Sequence, residues 1–253
     1  MEFVMILLVL GVCILGSQVS AASLTCRNEA AQSIDFWTSV KFPRPTGTRY
    51  TYTDNTLEQT EWMLGDDLAA TSGNPLSATL APLYADASFG YIMYNDEIPT
   101  SSGGSTSSTK AHAKGVIGFG PDGGFWLVHS VPKFPDRPSV SDYTGIASGQ
   151  QINAQSFLCL SMTPSTLEKV AQLGVSVKEA ELGWKNTVDH SKWCVTAHLA
   201  QADGNQVQVA CVGDKNRADT QLIRGGGTVC FASNANVWKL YTSLIDLVES
   251  CTS

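Results

Sequence analysis

Charge is scarce in this chain. Only 15 % of its 253 residues are charged, and 16 basic side chains face 23 acidic ones, for a formal net charge of −7. That balance argues against a nucleic-acid binder that grips its ligand with a broad basic face. A DNA substrate would need positive charge gathered in a cleft, or an acid medium. Histidine is rarer still, with four in all. No Cys-x-x-Cys pair occurs, which speaks against a zinc site. No Asn-x-Ser/Thr sequon occurs either, so N-glycan-dependent sorting to lysosomes is closed to this chain. Past the first residues, no apolar run approaches the roughly 20 residues that span a bilayer.

Apolar residues make up 43 % of the chain, enough for a sizeable core in one large domain or two small ones. Phe3 to Leu15 is almost wholly apolar, and Gly16, Ser17, Ser20, Ala21 and Ala22 follow. The run is too short for a membrane span and reads as a secretory signal over residues 1–22. Glu2 stands where such signals usually carry a basic residue, so a signal anchor is the weaker alternative. Cleavage near Ala22 would start the mature chain at about Leu24 and leave no membrane attachment. Secretion is then the expected localisation, with the lysosome second. Of seven cysteines, Cys13 lies in the signal. Cys26, Cys159, Cys194, Cys211, Cys230 and Cys251 remain. An even number in a secreted chain implies disulfides, and six cysteines allow 15 pairings.

Strand patterns dominate the first half. Ile34 to Trp37, Val40 to Phe42 and Arg49 to Thr53 are rich in β-branched and aromatic residues, with Pro43, Pro45 and Gly47 as breaks. Leu76 to Tyr84 predicts a short helix, and Phe89 to Tyr94 a strand. Ser101 to Thr109 is polar and low in complexity, an exposed loop in preference to a domain linker. Lys114 to Phe119 and Gly124 to Val131 flank Pro121-Asp122-Gly123, a turn signal that predicts a hairpin. A helix is expected from Thr163, with Pro164 in its first turn, to Gly174. Ser191 to His198 and Gln206 to Val212 predict a second hairpin, and Thr228 to Phe231 a strand. Val237, Leu240, Tyr241, Leu244, Ile245 and Val248 recur at helical spacing, with Asn234 or Asn236 as cap.

Two of the four histidines stand in one local pattern, His112-Ala113-Lys114 and His190-Ser191-Lys192. Residues i and i+2 of a strand share a face, so each triplet presents an imidazole beside an ammonium. A lone His-x-Lys is usually a surface accident. Two of them, each opening a predicted hairpin, suggest two similar halves facing each other. Facing pairs would suit a phosphodiester. The lysines neutralise the non-bridging oxygens, one imidazole attacks phosphorus, and the other protonates the leaving oxygen. Such chemistry calls for no metal or cofactor.

The longer stretches resemble the deoxyribonuclease II family. HAKGVIGFGPDGGFWLVHSVPKFP (residues 112–135) looks like its first signature and DHSKWCV (189–195) like its second. LTC (24–26), YNDEIP (94–99), CVGDKNR (211–217) and RGGGTVC (224–230) match in the family's order. The resemblance implies an α/β (α+β) fold of the phospholipase D-like kind, with two pseudo-symmetric β-rich lobes and packed helices. In this chain the lobes would fall at about 24–175 and 176–253 of a single deoxyribonuclease II-like unit, 24–253. It implies cleavage of DNA at acid pH without a divalent metal, through a phosphohistidine, leaving 3′-phosphate ends. His112 and Lys114 would form one half-site, His190 and Lys192 the other. Asn216 and His129 would bind phosphate. Bland readings stand beside these: His129 as a satisfied core histidine, Asn216 as a turn residue, Gly225 to Gly227 as a tight turn, Arg217 and Arg224 as solvated surface. His198 has no counterpart and no assigned role. The resemblance also implies disulfides Cys26–Cys159 and Cys211–Cys230.

Two departures stand out. About 30 residues separate Cys159 from His190 where family members carry a much longer segment, so a central block is missing. Residues 197–208 are longer than the family's turn. The shortening leaves Cys194 and Cys251 to pair with each other, to bridge two chains or to stay free. A homodimer is one way to complete a shortened cleft. A catalytically impaired relative that binds DNA or a protein partner is the alternative to an active nuclease.

Overall fold

The structure is a computed structural model that describes residues 23–43, 48–57, 61–97, 99, 113–167, 193–195, 208–213, 228–232 and 235–244. The signal expected at 1–22, the loop expected at 101–109 and residues 168–192 lie outside them. Among the described residues, twelve strands and two α-helices have defined bounds. They are β1 (Cys26–Arg27), β2 (Ser33–Ile34), β3 (Phe36–Lys41), β4 (Tyr50–Asp54), β5 (Met63–Gly65), α1 (Pro75–Ala85), β6 (Gly90–Asn95), β7 (Lys114–Gly120), β8 (Gly123–His129), β9 (Gln155–Met162), β10 (Trp193–Val195), β11 (Val209–Gly213), β12 (Thr228–Ala232) and α2 (Ala235–Thr242). The fold is mixed α/β, mostly sheet with few helices. Among the described residues no helix is long and apolar enough to cross a membrane.

Seven strands form one antiparallel sheet in the order β5-β4-β3-β9-β8-β7-β6. Its centre is non-local: β3 pairs with β9, bringing Trp37 opposite Cys159. Strand alternation sorts the side chains by face. Trp37, Tyr50, Tyr52, Val116, Phe125, Leu127 and Phe157 share one core with Leu76, Leu80 and Leu83 of α1. Asn74 caps that helix, accepting from the Ser77 N–H at 2.8 Å, and Pro75 follows where no N–H is needed. Trp37 Nε1 donates to Thr79 Oγ1 at 3.1 Å, tying β3 to α1. The disulfide Cys26–Cys159 ties β1 to β9 across 133 residues.

The other face carries the C-terminal part. Val40 and Leu158 pack with Ala210 and Val212 of β11 and with Val237 and Tyr241 of α2. β10, β11 and β12 make a three-stranded antiparallel sheet, closed by the disulfide Cys211–Cys230. Both disulfides are the pairings that the resemblance implies. Tyr241 hydrogen-bonds Thr38 through their hydroxyls, and Trp62 Nε1 donates to the Leu240 carbonyl at 2.8 Å. Residues from the two ends of the chain therefore share one core.

Both expected hairpins form, with β7 opposite β8 and β10 opposite β11. The helix expected from Thr163 begins there: residues 164–167 are helical, and Thr163 Oγ1 accepts from the Thr166 N–H at 3.3 Å. The C-terminal helix differs at its start. Asn236 is its second residue, so it is no cap, and Asn234 lies outside the described residues.

Candidate active site

In an antiparallel sheet, alternate strands begin and end at the same edge. The last residues of β3, β6 and β8 therefore gather with the first residues of β7 and β9. At this edge the core turns polar. Lys41, Asp96, Lys114, His129, Ser130 and Gln155 are all buried there.

Lys114 is the first residue of β7 and stands opposite Asn95 of β6. The β7–β8 ladder runs to Gly115 opposite Val128, so the next step places Lys114 beside His129. The Lys114 side chain is fully buried and forms an ion pair with the nearly buried Asp96 carboxylate. Asp96 is itself fixed, because its N–H donates to the Ala113 carbonyl at 3.2 Å. Its neighbours are held too. Asn95 Nδ2 donates to the carbonyls of Val131 and Phe134 at 3.2 and 2.9 Å, and Asn95 Oδ1 accepts from the Glu97 N–H at 2.9 Å. The Lys133 N–H donates to the Glu97 carbonyl at 2.9 Å. Segment 95–97 is thus lashed to the loop that follows His129.

His129 has no exposed surface. Its Nδ1 accepts from the Val131 N–H at 3.2 Å, which places the proton of the neutral ring on Nε2. Phe134 meets the ring edge-on at 5.4 Å between centroids, and Phe157 stacks at 6.3 Å. Behind it, the Ser130 hydroxyl donates to Gln155 Oε1 and accepts from the Ser156 N–H at 3.0 Å. Gln155 Nε2 is buried with no partner among the described residues.

Lys41 was missed by sequence reasoning. Its ammonium donates to the carbonyls of Phe42, Gln151 and Asn153 at 2.8, 2.9 and 2.8 Å. Burial lowers its pKa to about 8. The strand alternation held the signal, since Lys41 falls on the same face as Trp37. Asp96 lies within YNDEIP, a stretch that by itself assigns it no role. Only its pairing with a residue 18 positions away reveals one.

Of the sequence-predicted residues, Lys114 and His129 are brought side by side. His112, His190, Lys192 and Asn216 lie outside the described residues. Among the described residues, no group of three or more His, Cys, Asp or Glu side chains could hold a metal ion. A shallow recess between Phe89 and the turn at Gly120–Gly123 lies at the opposite end of the β7–β8 hairpin.

Comparison with known proteins identifies the family. A family model described as Deoxyribonuclease II matches residues 25–178 and 172–251. Deoxyribonuclease-2-alpha of Bos taurus is 24 % identical over 348 positions, covering 92 % of this chain and 92 % of the relative. Cell-death-related nuclease 7 of Caenorhabditis elegans is 25 % identical, covering 91 % and 89 %. Deoxyribonuclease-2-alpha of Sus scrofa is 34 % identical over 152 positions, covering 56 % of this chain and 41 % of the relative. An alignment of 348 positions to a chain of 253 residues leaves at least 95 positions with no residue here. The family match also breaks in two near 172–178, between Cys159 and His190, where the sequence places its missing block.

Proposed function

This chain belongs to the deoxyribonuclease II family, and on that footing we propose that it is a secreted acid endodeoxyribonuclease that hydrolyses DNA phosphodiesters without a metal. The observation that carries the reading is the family match across 25–251, which includes both His-x-Lys triplets in order. The buried, ion-paired Lys114 beside His129 supports it, because burying an ion pair carries a desolvation cost that an apolar pair at the same place would not. The proposed architecture is phospholipase D-like, with lobes at about 24–175 and 176–253.

In the proposed reaction, His112 with Lys114 and His190 with Lys192 converge on one phosphate. The two ammonium groups offset the charge that develops on the non-bridging oxygens. One imidazole nitrogen attacks phosphorus and the P–O5′ bond breaks. The departing oxygen takes a proton from the other ring, an imidazolium at acid pH. Water then attacks phosphorus, the P–N bond breaks, and the water's proton passes to the second ring. A 3′-phosphate is released and both rings return to their starting states. Asn216 and His129 serve as phosphate-binding residues.

Plasmid nicking at about pH 5, where unperturbed histidine is mostly protonated, tests the proposal. Nicking is expected to persist with chelator present. It is expected to fall by roughly a hundredfold or more in His190→Ala, the usual scale of a lost general acid or base. Nicking abolished by chelator, or equal in the variant, contradicts it. The alignment gap of at least 95 positions favours a second reading, a catalytically impaired relative that binds DNA or a protein partner. A gel shift at low salt and the same pH with no nicking would select that reading.

A further inference from the structure

We infer that Asp96 is a positioning residue for the proposed hydrolysis, one that fixes the Lys114 ammonium in place. The inference rests on the reading given under Proposed function and adds a residue to it.

Lysine brings a compact charge on a stem of four flexible carbons, with no geometry of its own to aim it. At the head of β7 that stem is fully buried. A buried ammonium calls for a counter-charge close by. The Asp96 carboxylate supplies the counter-charge. It can also aim the ammonium, because its own backbone is held. The Asp96 N–H is bonded to the Ala113 carbonyl. The residues on either side, Asn95 and Glu97, are tied to the loop 131–134 that passes His129. The ion pair thus stands between two fixed frames, the β6–β7 ladder and the loop after β8. A shift of about 1 Å in a catalytic group can cost on the order of a hundredfold in rate.

The same ion pair could do no more than hold β6 to β7. Kinetics separate the two roles. Nicking at about pH 5 would be measured for the full chain and for Asp96→Asn, Asp96→Glu, Lys114→Met and the Asp96→Asn/Lys114→Met double variant, with unfolding midpoints for each. Asp96→Asn is expected to lower kcat by about ten- to a hundredfold while KM moves little, the mark of an interaction made in the transition state. Asp96→Glu, which keeps the charge but displaces it, is expected to fall between. In the Lys114→Met background, Asp96→Asn is expected to cost nothing further. If Asp96→Asn does not fold, Asp96→Glu carries the test: kcat reduced severalfold at unchanged KM supports the assignment, and kcat equal to the parent overturns it. Unchanged nicking by a folded Asp96→Asn, or an equal penalty with and without Lys114, overturns the assignment alone. Absence of nicking by the parent chain overturns both the assignment and the hydrolytic reading beneath it.

Discussion

Lys41 shows what a single residue does for this fold. Its ammonium joins the end of β3 to the carbonyls of Gln151 and Asn153 just ahead of β9. Lys41→Met would leave three carbonyls without that donor. A loss of about 2 kcal/mol is expected, measured by urea unfolding at neutral pH. The pH dependence has a definite sign. The folded pKa of about 8 lies below the ordinary lysine value of 10.5. Between the two, the unfolded chain binds the extra proton. The contribution of this group therefore rises with pH from about 8 to about 10.5 and is flat below 8. Stability curves of the parent and of Lys41→Met should diverge over that window and run parallel beneath it. At this scale the sequence was informative where a motif was local. Lys114 and His129 were singled out from their triplet and signature, and the ladder sets them side by side. Lys41 and Asp96 escaped because their partners lie far along the chain, and no local pattern records such a pairing.

Elements were legible where turn chemistry was strong. Pro121-Asp122-Gly123 predicted the β7–β8 hairpin, and the strands that form differ from expectation by no more than two residues at any end. Gly123 has φ +127°, a conformation that suits glycine. Gly124 is constrained in another way. A Cβ there would overlap the Gly118 carbonyl on the paired strand, a clash with backbone that no rotamer relieves. Gly124→Ala is therefore expected to destabilise the protein by about 2 kcal/mol or more and to lower the thermal midpoint. Gly73→Ala, at a site with open space though positive φ, should cost less. The short β5 strand was not foreseen, since three residues show no period. The sheet order was equally hidden. Pairing of β3 with β9 joins residues more than a hundred positions apart, and strand patterns carry no address for a distant partner.

At the scale of the whole molecule, the N-terminal sheet and the C-terminal strands share the core around Tyr241, so neither is expected to unfold alone. The Cys26–Cys159 disulfide closes the longest loop among the described cysteines. In the chain-entropy account, opening a loop of that length costs on the order of 4–5 kcal/mol. A double Cys26→Ala/Cys159→Ala variant should show a single transition at a clearly lower temperature. Two separate transitions would contradict the shared core. Non-reducing peptide mapping should find Cys26 joined to Cys159 and Cys211 to Cys230. The central shortening was legible from the Cys159–His190 spacing only against the family that the chain resembles, and the aligned length of the relatives agrees with it.

The proposed pathway makes two displacements at one phosphorus, each inverting its configuration, with a histidine carrying the phosphoryl group between them. A duplex bearing one phosphorothioate of defined handedness, cleaved in oxygen-18 water at about pH 5, reads this directly. Net retention at phosphorus is the expected result. Net inversion would mean that water attacks in a single step, and the paired-histidine account would be wrong.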